Sequence, residues 1–158
     1  MVSGAAIVLV RRAGALLAVF AIFMAVFVWQ LVEPVRQAQV QVGIGAKTHF
    51  LEVAATPESR QKGLSGRDWL TAGAGMVFVF STPGTYCFWM QDTRFPLDMI
   101  WLNDKQRVVH IERYVQPNSY PEKFCPPASA LYVVEVAAGV TDDTVQVGDE
   151  LTLSAEWR

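Results

Sequence analysis

The stretch from residue 75 to residue 102 restricts the fold of this chain more than any other part of it. It reads Gly-Met-Val-Phe-Val-Phe, Ser-Thr-Pro-Gly-Thr, Tyr-Cys-Phe-Trp-Met-Gln-Asp-Thr, Arg-Phe-Pro and Leu-Asp-Met-Ile-Trp-Leu. Three apolar runs of strand length, rich in β-branched and aromatic residues, are separated by turn-forming residues, which predicts consecutive antiparallel strands. The turn at 81–85 is expected to join 76–80 to 86–91, and Asn103-Asp104-Lys105-Gln106 to join 98–102 to 107–113.

Upstream, Val40, Val42 and Ile44 alternate with Gln41, Gly43 and Gly45, a strand with one buried face, and 49–53 supplies its hairpin partner. Thr56 then offers a helix N-cap, with Pro57 at the first helical position and Glu58 near the positive end of the helix dipole, and Gly63 ends the helix. Downstream, the prolines of 117–127 mark a surface loop, because proline lacks the donor that a sheet ladder needs. Strands at 131–136 and from 147 to 157 complete the pattern. Eight or nine short strands predict a mainly β domain, a compact antiparallel sandwich or barrel with one or two short helices.

Several motifs in this region carry a resemblance. Gly63-Leu64-Ser65-x-Arg67, Gly75-Met76-x-Phe78-x-Phe80, Phe88-Trp89-Met90-x-Asp92-Thr93 and Pro96-Leu97-Asp98 resemble, in order and spacing, the DUF192 family, also called UPF0127, from about residue 40 to 153. The resemblance implies a small, often exported prokaryotic domain and no particular reaction. Relatives often place a cysteine pair in the proline-rich loop, whereas this loop holds Cys125 alone, so no bridge can form within it.

The N-terminus is of a different kind. Residues 13–32 carry no charge, and a helix of that length just spans a bilayer's hydrocarbon core. Arg11 and Arg12 precede the segment, so the positive-inside bias puts the N-terminus in the cytoplasm and the domain outside. The expected organisation is a cytoplasmic stub (1–12), a transmembrane anchor (13–32), a linker (33–39) and an extracytoplasmic domain (40–158), held by one pass in the inner membrane. A cleaved signal peptide is the competing reading, but Arg36 spoils the small-x-small site before Ala38.

After residue 38 ten Lys and Arg face fourteen Asp and Glu, a net charge of −4 without a basic cluster, which argues against nucleic acid as a partner. Cys87 and Cys125 are the two cysteines, and in an oxidising compartment they are disulfide candidates; Cys87 could equally be a small buried hydrophobe. The cysteines have no Cys-x-x-Cys spacing, and Met76, Met90, Met99, His49, His110 and Cys87 are too scattered in sequence to suggest a copper site, so neither metal nor cofactor is expected.

Trp69, Trp89 and Trp101 are candidate platforms for a sugar ring or peptide, with core filling the stronger reading for Trp101. Arg67, Trp89, Asp92, Thr93 and Asp98 are the expected ligand-binding residues, since they mix apolar and charged types within the motif block. Arg67 and Asp98 are expected to pair beside Trp89. Glu135, in Val133-Val134-Glu135-Val136, must point outward or be buried for a purpose. The expected role is binding of a small ligand, glycan, peptide or envelope protein. The alternatives are an envelope hydrolase using Asp92, Asp98 or Glu135, with catalytic residues otherwise unassigned, and a structural assembly module.

Overall fold

The computed structural model describes residues 22–24 and 39–154. The chain divides into two units, Met1–Arg36 and Gln37–Arg158. Of the expected anchor, Ile22, Phe23 and Met24 are helical and exposed, and the rest lies outside the described residues. Among the described residues no helix is long and apolar enough to cross a membrane, and the fold they form is mainly β.

The second unit is built on one mixed six-stranded sheet with order β1-β2-β3-β6-β4-β5. Its strands are β1 (Gln39–Ile44), β2 (Lys47–Ala54), β3 (Ala74–Gly84), β4 (Leu97–Leu102), β5 (Val108–Val115) and β6 (Ala130–Ala137). Helix α1 (Pro57–Lys62) and a 3-10 turn at Pro117–Ser119 are the two short helices of this unit. At the edge, β1 buries Val40, Val42 and Ile44 and exposes the residues between them. The interior strand β4, apolar except for Asp98, is buried on both faces along its whole length.

α1 forms as its sequence dictates. Ser59 N donates to Thr56 Oγ1 and Thr56 N donates to Ser59 Oγ, a reciprocal cap. Gly63 terminates the helix at φ +48°, with Phe78 so close that a Cβ there would lie 3.3 Å from its ring. This conformation lets the helix end pack directly on the sheet.

Two features depart from the expected all-antiparallel pattern. β2 and β3 run parallel, in register from Phe50 opposite Ala74 to Ala54 opposite Phe78. A parallel pair needs a long crossover, and residues 55–73, with α1 among them, supply it. The expected hairpin 76–80 with 86–91 does not form either, because β6 occupies the place beside β3 and β3 runs on through Ser81–Pro83 to pair Gly84 with Ala130. Residues 86–91 instead leave the sheet and cross its face, where Phe88 exchanges main-chain hydrogen bonds of 2.9 and 2.8 Å with Phe124 of the proline-rich loop. The β4–β5 hairpin forms as expected. The expected last strand is a ribbon bridging both sheet edges, Leu153 to Val42 of β1 and Glu150 to Arg107 beside β5.

Each face of the sheet has its own core. On one face Val40, Leu51, Val77, Ile100 and Val134 pack with Val145, Leu151 and Leu153 of the C-terminal ribbon. On the other Met76, Phe78, Met99, Trp101 and Val133 pack under Leu64, Met90 and Phe88. Alternation along β4 and β6 therefore sends Asp98 to the first face and Glu135 to the second.

Candidate functional site

A cleft of about 650 Å3 opens on the second face of the sheet, a size typical of small-molecule sites, roughly 300–1,000 Å3. α1 and the turn after it form one wall through Arg60, Gln61, Lys62 and Ser65. Residues 85–93 form the other, and β3 contributes Phe78 and Phe80. At the floor lies Glu135 of β6, 4% exposed.

Glu135 is flanked on its own face by Met76 of β3 and Met99 of β4, its register partners on either side. No side chain among the described residues forms an ion pair or hydrogen bond with it. Burial without compensation pushes its carboxyl up to about 8, so at neutral pH it is mainly the uncharged acid, able to donate one hydrogen bond and accept others. An unpartnered carboxyl under an open cleft costs stability, and functional sites are where such costs are commonly retained.

The wall formed by β3 and residues 85–93 is largely aromatic. Phe80 and Tyr86 stack with ring centres 3.4 Å apart, and the Arg60 guanidinium sits 5.0 Å above Phe80 while donating to the carbonyls of Ala55 and Val79. Phe88 meets Phe78 and Trp101 edge to face, and Trp101 Nε1 donates to Tyr86 O at 2.8 Å. Trp89, between inward-facing Phe88 and Met90, turns out and is 44% exposed on the cleft wall, with Lys123 Nζ 5.3 Å from its ring centre. A disulfide joins Cys87, on the same wall, to Cys125 in the loop that carries Lys123.

These elements coincide with a known sequence pattern. The family model DUF192, described as "Uncharacterized ACR, COG1430", matches residues 39–153. The chain belongs to the DUF192 family. Two solved structures share its fold. One is "a putative transcription regulator" from Sinorhizobium meliloti 1021, 29% identical, with a TM-score of 0.67 over 77% of this chain and 98% of its own. The other is a protein of unknown function from Novosphingobium aromaticivorans DSM 12444, 30% identical, with a TM-score of 0.65 over 77% of this chain and 90% of its own. None of the curated proteins matches this chain.

The DUF192 motifs split between cleft and scaffold. Of the five expected ligand-binding residues, Trp89 and Thr93 line the cleft and Arg67, Asp92 and Asp98 do not. Arg67 does not meet Asp98. It forms a bidentate pair with Glu52, 2.7 Å at each contact, and this hydrogen bonding to Glu52 raises its pKa. Asp98 is on the opposite face and fully buried. It accepts hydrogen bonds from Tyr114 N at 2.9 Å, Gly139 N and Thr141 N at 3.0 Å, and Thr141 Oγ1 at 2.8 Å. Asp92 adopts φ +51°, accepts from Gly66 N through its carbonyl, and points its exposed carboxylate toward Arg94. The pairing of Arg67 with Asp98 fails because the two sit on opposite faces of the sheet, a relation that local sequence does not encode. The residues missed as binding candidates are wall aromatics, above all Phe80, which lies within a motif, and Tyr86, which lies outside them; their signal was an aromatic pair flanking a Pro-Gly turn.

The remaining candidates are structural. Met76, Met90, Met99 and Trp101 are core, and Trp69 is exposed away from the cleft lining. His110 is partly buried beside Trp101 and 2.8 Å from Glu112. Among the described residues no three His, Cys, Asp or Glu come together as a metal site. A second groove of about 820 Å3 runs between the β1–β2 turn and residues 137–144, lined chiefly by alanine, glycine and other small residues. His49 lies at its edge, 3% exposed, its Nδ1 buried without a partner; burial, first of all, lowers its pKa. Its polar atom is sealed off, whereas the Glu135 cleft offers open aromatic and polar walls.

Proposed function

We propose that this DUF192 domain is a ligand-binding module, tethered outside the cytoplasm by residues 13–32, whose binding site is the cleft above Glu135. The single observation that carries this reading is a buried carboxyl, without a side-chain partner among the described residues, at the floor of a cleft with aromatic rings on its wall. Specific small-molecule sites combine apolar surface with a few polar groups that fix orientation. The Cys87–Cys125 bridge supports an oxidising compartment. Hydrolysis by paired carboxylates is disfavoured, since Asp98 lies across the sheet from Glu135 and Asp92 lies outside the cleft lining. One structural neighbour is described as "a putative transcription regulator", but a domain of net charge −4 without a basic cluster is poorly suited to a phosphate backbone.

A thermal-shift screen of the full chain in detergent against saccharides, peptides and small metabolites tests the module. A ligand at ten times its Kd should raise the melting temperature by roughly 5–10 °C. The Trp89→Ala protein should lose that shift while melting near the wild-type temperature without ligand. Protection of the domain from protease added outside spheroplasts, in protein that is cleaved once the membrane is opened, would refute the topology.

A further inference from the structure

The chemistry of the cleft narrows its ligand. Its polar lining is dominated by hydroxyls and amides, those of Ser65, Thr85, Thr93, Gln61 and Gln91, with the Ser65 and Thr93 hydroxyls already donating to Gln91 O and so presented to a ligand as acceptors. Arg60 is already committed to two main-chain carbonyls and the Phe80 ring. Lys62 is the other cation on the lining, and no carboxylate besides Glu135 is there to meet an ammonium group. An amine ligand would thus meet Arg60 and Lys62 at the walls, and a multiply charged anion would find one uncommitted cation. A neutral ring bearing hydroxyls fits both constraints, with its apolar face on an aromatic surface and its edge toward the amides and hydroxyls.

We infer that the cleft takes a neutral saccharide, its ring laid against Trp89 and one hydroxyl held at the floor by the carboxyl group of Glu135 acting as donor and acceptor. This rests on the binding reading above and adds the ligand class and the role of Glu135. A hydroxyl is the natural complement of a neutral carboxyl, because each donates once and accepts. Burying that hydroxyl beside Met76 and Met99 is favourable only when Glu135 satisfies it. Lys123, resting over Trp89, must swing aside for the ring to stack, and an exposed cation–π contact is a weak barrier to that. The carboxyl donates only while it holds its proton, and its elevation to about 8 keeps it protonated at neutral pH. The elements packed around Glu135 bring apolar Met76, Phe78 and Met99 from β3 and β4, Arg60 and Lys62 from α1 and its end, and Tyr86 from the opposite wall.

Titration calorimetry of the full chain in detergent with cellotriose and chitotriose, from pH 6.5 to 9.5, tests the assignment. Binding is expected at pH 6.5, with Kd rising toward tenfold per pH unit above about 8. Glu135→Gln keeps a neutral group that donates and accepts, so it should bind within a few-fold of wild type with a flat pH profile. That variant retains Arg60, Lys62 and Tyr86, so any titration of theirs would persist in it. Glu135→Ala should bind at least tenfold more weakly at every pH, with folding of both variants checked by urea titration. A trisaccharide that binds the wild type with no pH dependence, or binds Glu135→Ala equally well, overturns the role of Glu135. Binding of a peptide or a charged metabolite at pH 6.5, but of neither trisaccharide, overturns the saccharide assignment and leaves the binding module standing. Silence from every probe overturns both.

Discussion

Asp98 and Glu135 stand on adjacent strands of one sheet, one residue out of step, and are treated in opposite ways. Asp98 pairs across with Val136 and Glu135 with Met99, so pleating alone sends the two carboxyls to opposite faces. On the first face Asp98 receives four hydrogen bonds from Tyr114, Gly139 and Thr141 and knits β5 to the turn after β6. On the second face Glu135 receives none among the described residues and opens into a cleft. Burial is the same for both, and the supply of donors differs. A saturated carboxylate is an element of architecture; an unsaturated one is a cost that a ligand can relieve.

The sharpest way to break this comparison is to truncate both. Asp98→Ala leaves Thr141 N and Thr141 Oγ1 buried, and Tyr114 N and Gly139 N partly buried, without an acceptor, at about 1–3 kcal/mol for each buried donor, so a loss of roughly 3–5 kcal/mol is expected. Glu135→Ala should cost far less in urea unfolding at pH 7. Equal losses would mean that donor supply does not separate the two sites.

Next in size is the pH dependence that Glu135 imposes. Its folded value, about 8, lies above the ordinary 4.5, so the folded protein holds a proton that the unfolded chain releases between those values. Its contribution to stability is therefore full below pH 4.5, falls as pH rises, and levels off above about 8. At about 1.4 kcal/mol per pH unit the fall amounts to something on the order of 3–5 kcal/mol. Urea midpoints for Glu135→Gln should lack this component, so that the variant is more stable than wild type at pH 8.5. A wild type and variant with parallel pH profiles would place the carboxyl in a wetter setting than the cleft floor.

The two faces are also closed by different means. Hydrogen bonds to Asp98 hold the first, while a disulfide spanning 38 residues ties the cleft wall to the proline-rich loop. Replacing Cys87 and Cys125 by serine should cost about 3–4 kcal/mol in the chain-entropy account. If the bridge organises the cleft, the same change should weaken ligand-induced stabilisation; an undiminished shift would confine its role to stability.

A third carboxylate, Glu52, extends the row across β2, β3 and β6 on the Glu135 face and is satisfied by charge at a partly exposed site. A double-mutant cycle between Arg67 and Glu52 should give a coupling of about 1 kcal/mol, the exposure keeping it modest despite bidentate geometry. A coupling of 3 kcal/mol or more would require the pair to be dry. The smallest effect on stability belongs to Trp89→Ala, within about 0.5 kcal/mol, because nearly half of the residue is in solvent. Its effect on binding should instead be among the largest.

Local chemistry alone determined much of this chain. The α1 cap from Thr56 to Gly63, the β1 alternation, the β4–β5 hairpin and the proline-rich loop were readable because each is fixed by residues within a few positions of one another. The motif block was legible as family membership, and two of its residues, Trp89 and Thr93, reach the cleft. What only the tertiary structure decided is which elements are neighbours. The parallel β2–β3 pairing, the exclusion of 86–91 from the sheet by β6, and the pairing of Arg67 with Glu52 all depend on contacts between segments distant in sequence. The fates of Asp98 and Glu135 turn on the same thing. Both sit in apolar strands whose sequence commands burial, but whether donors await a buried carboxyl is settled by the loops that the fold brings over each face.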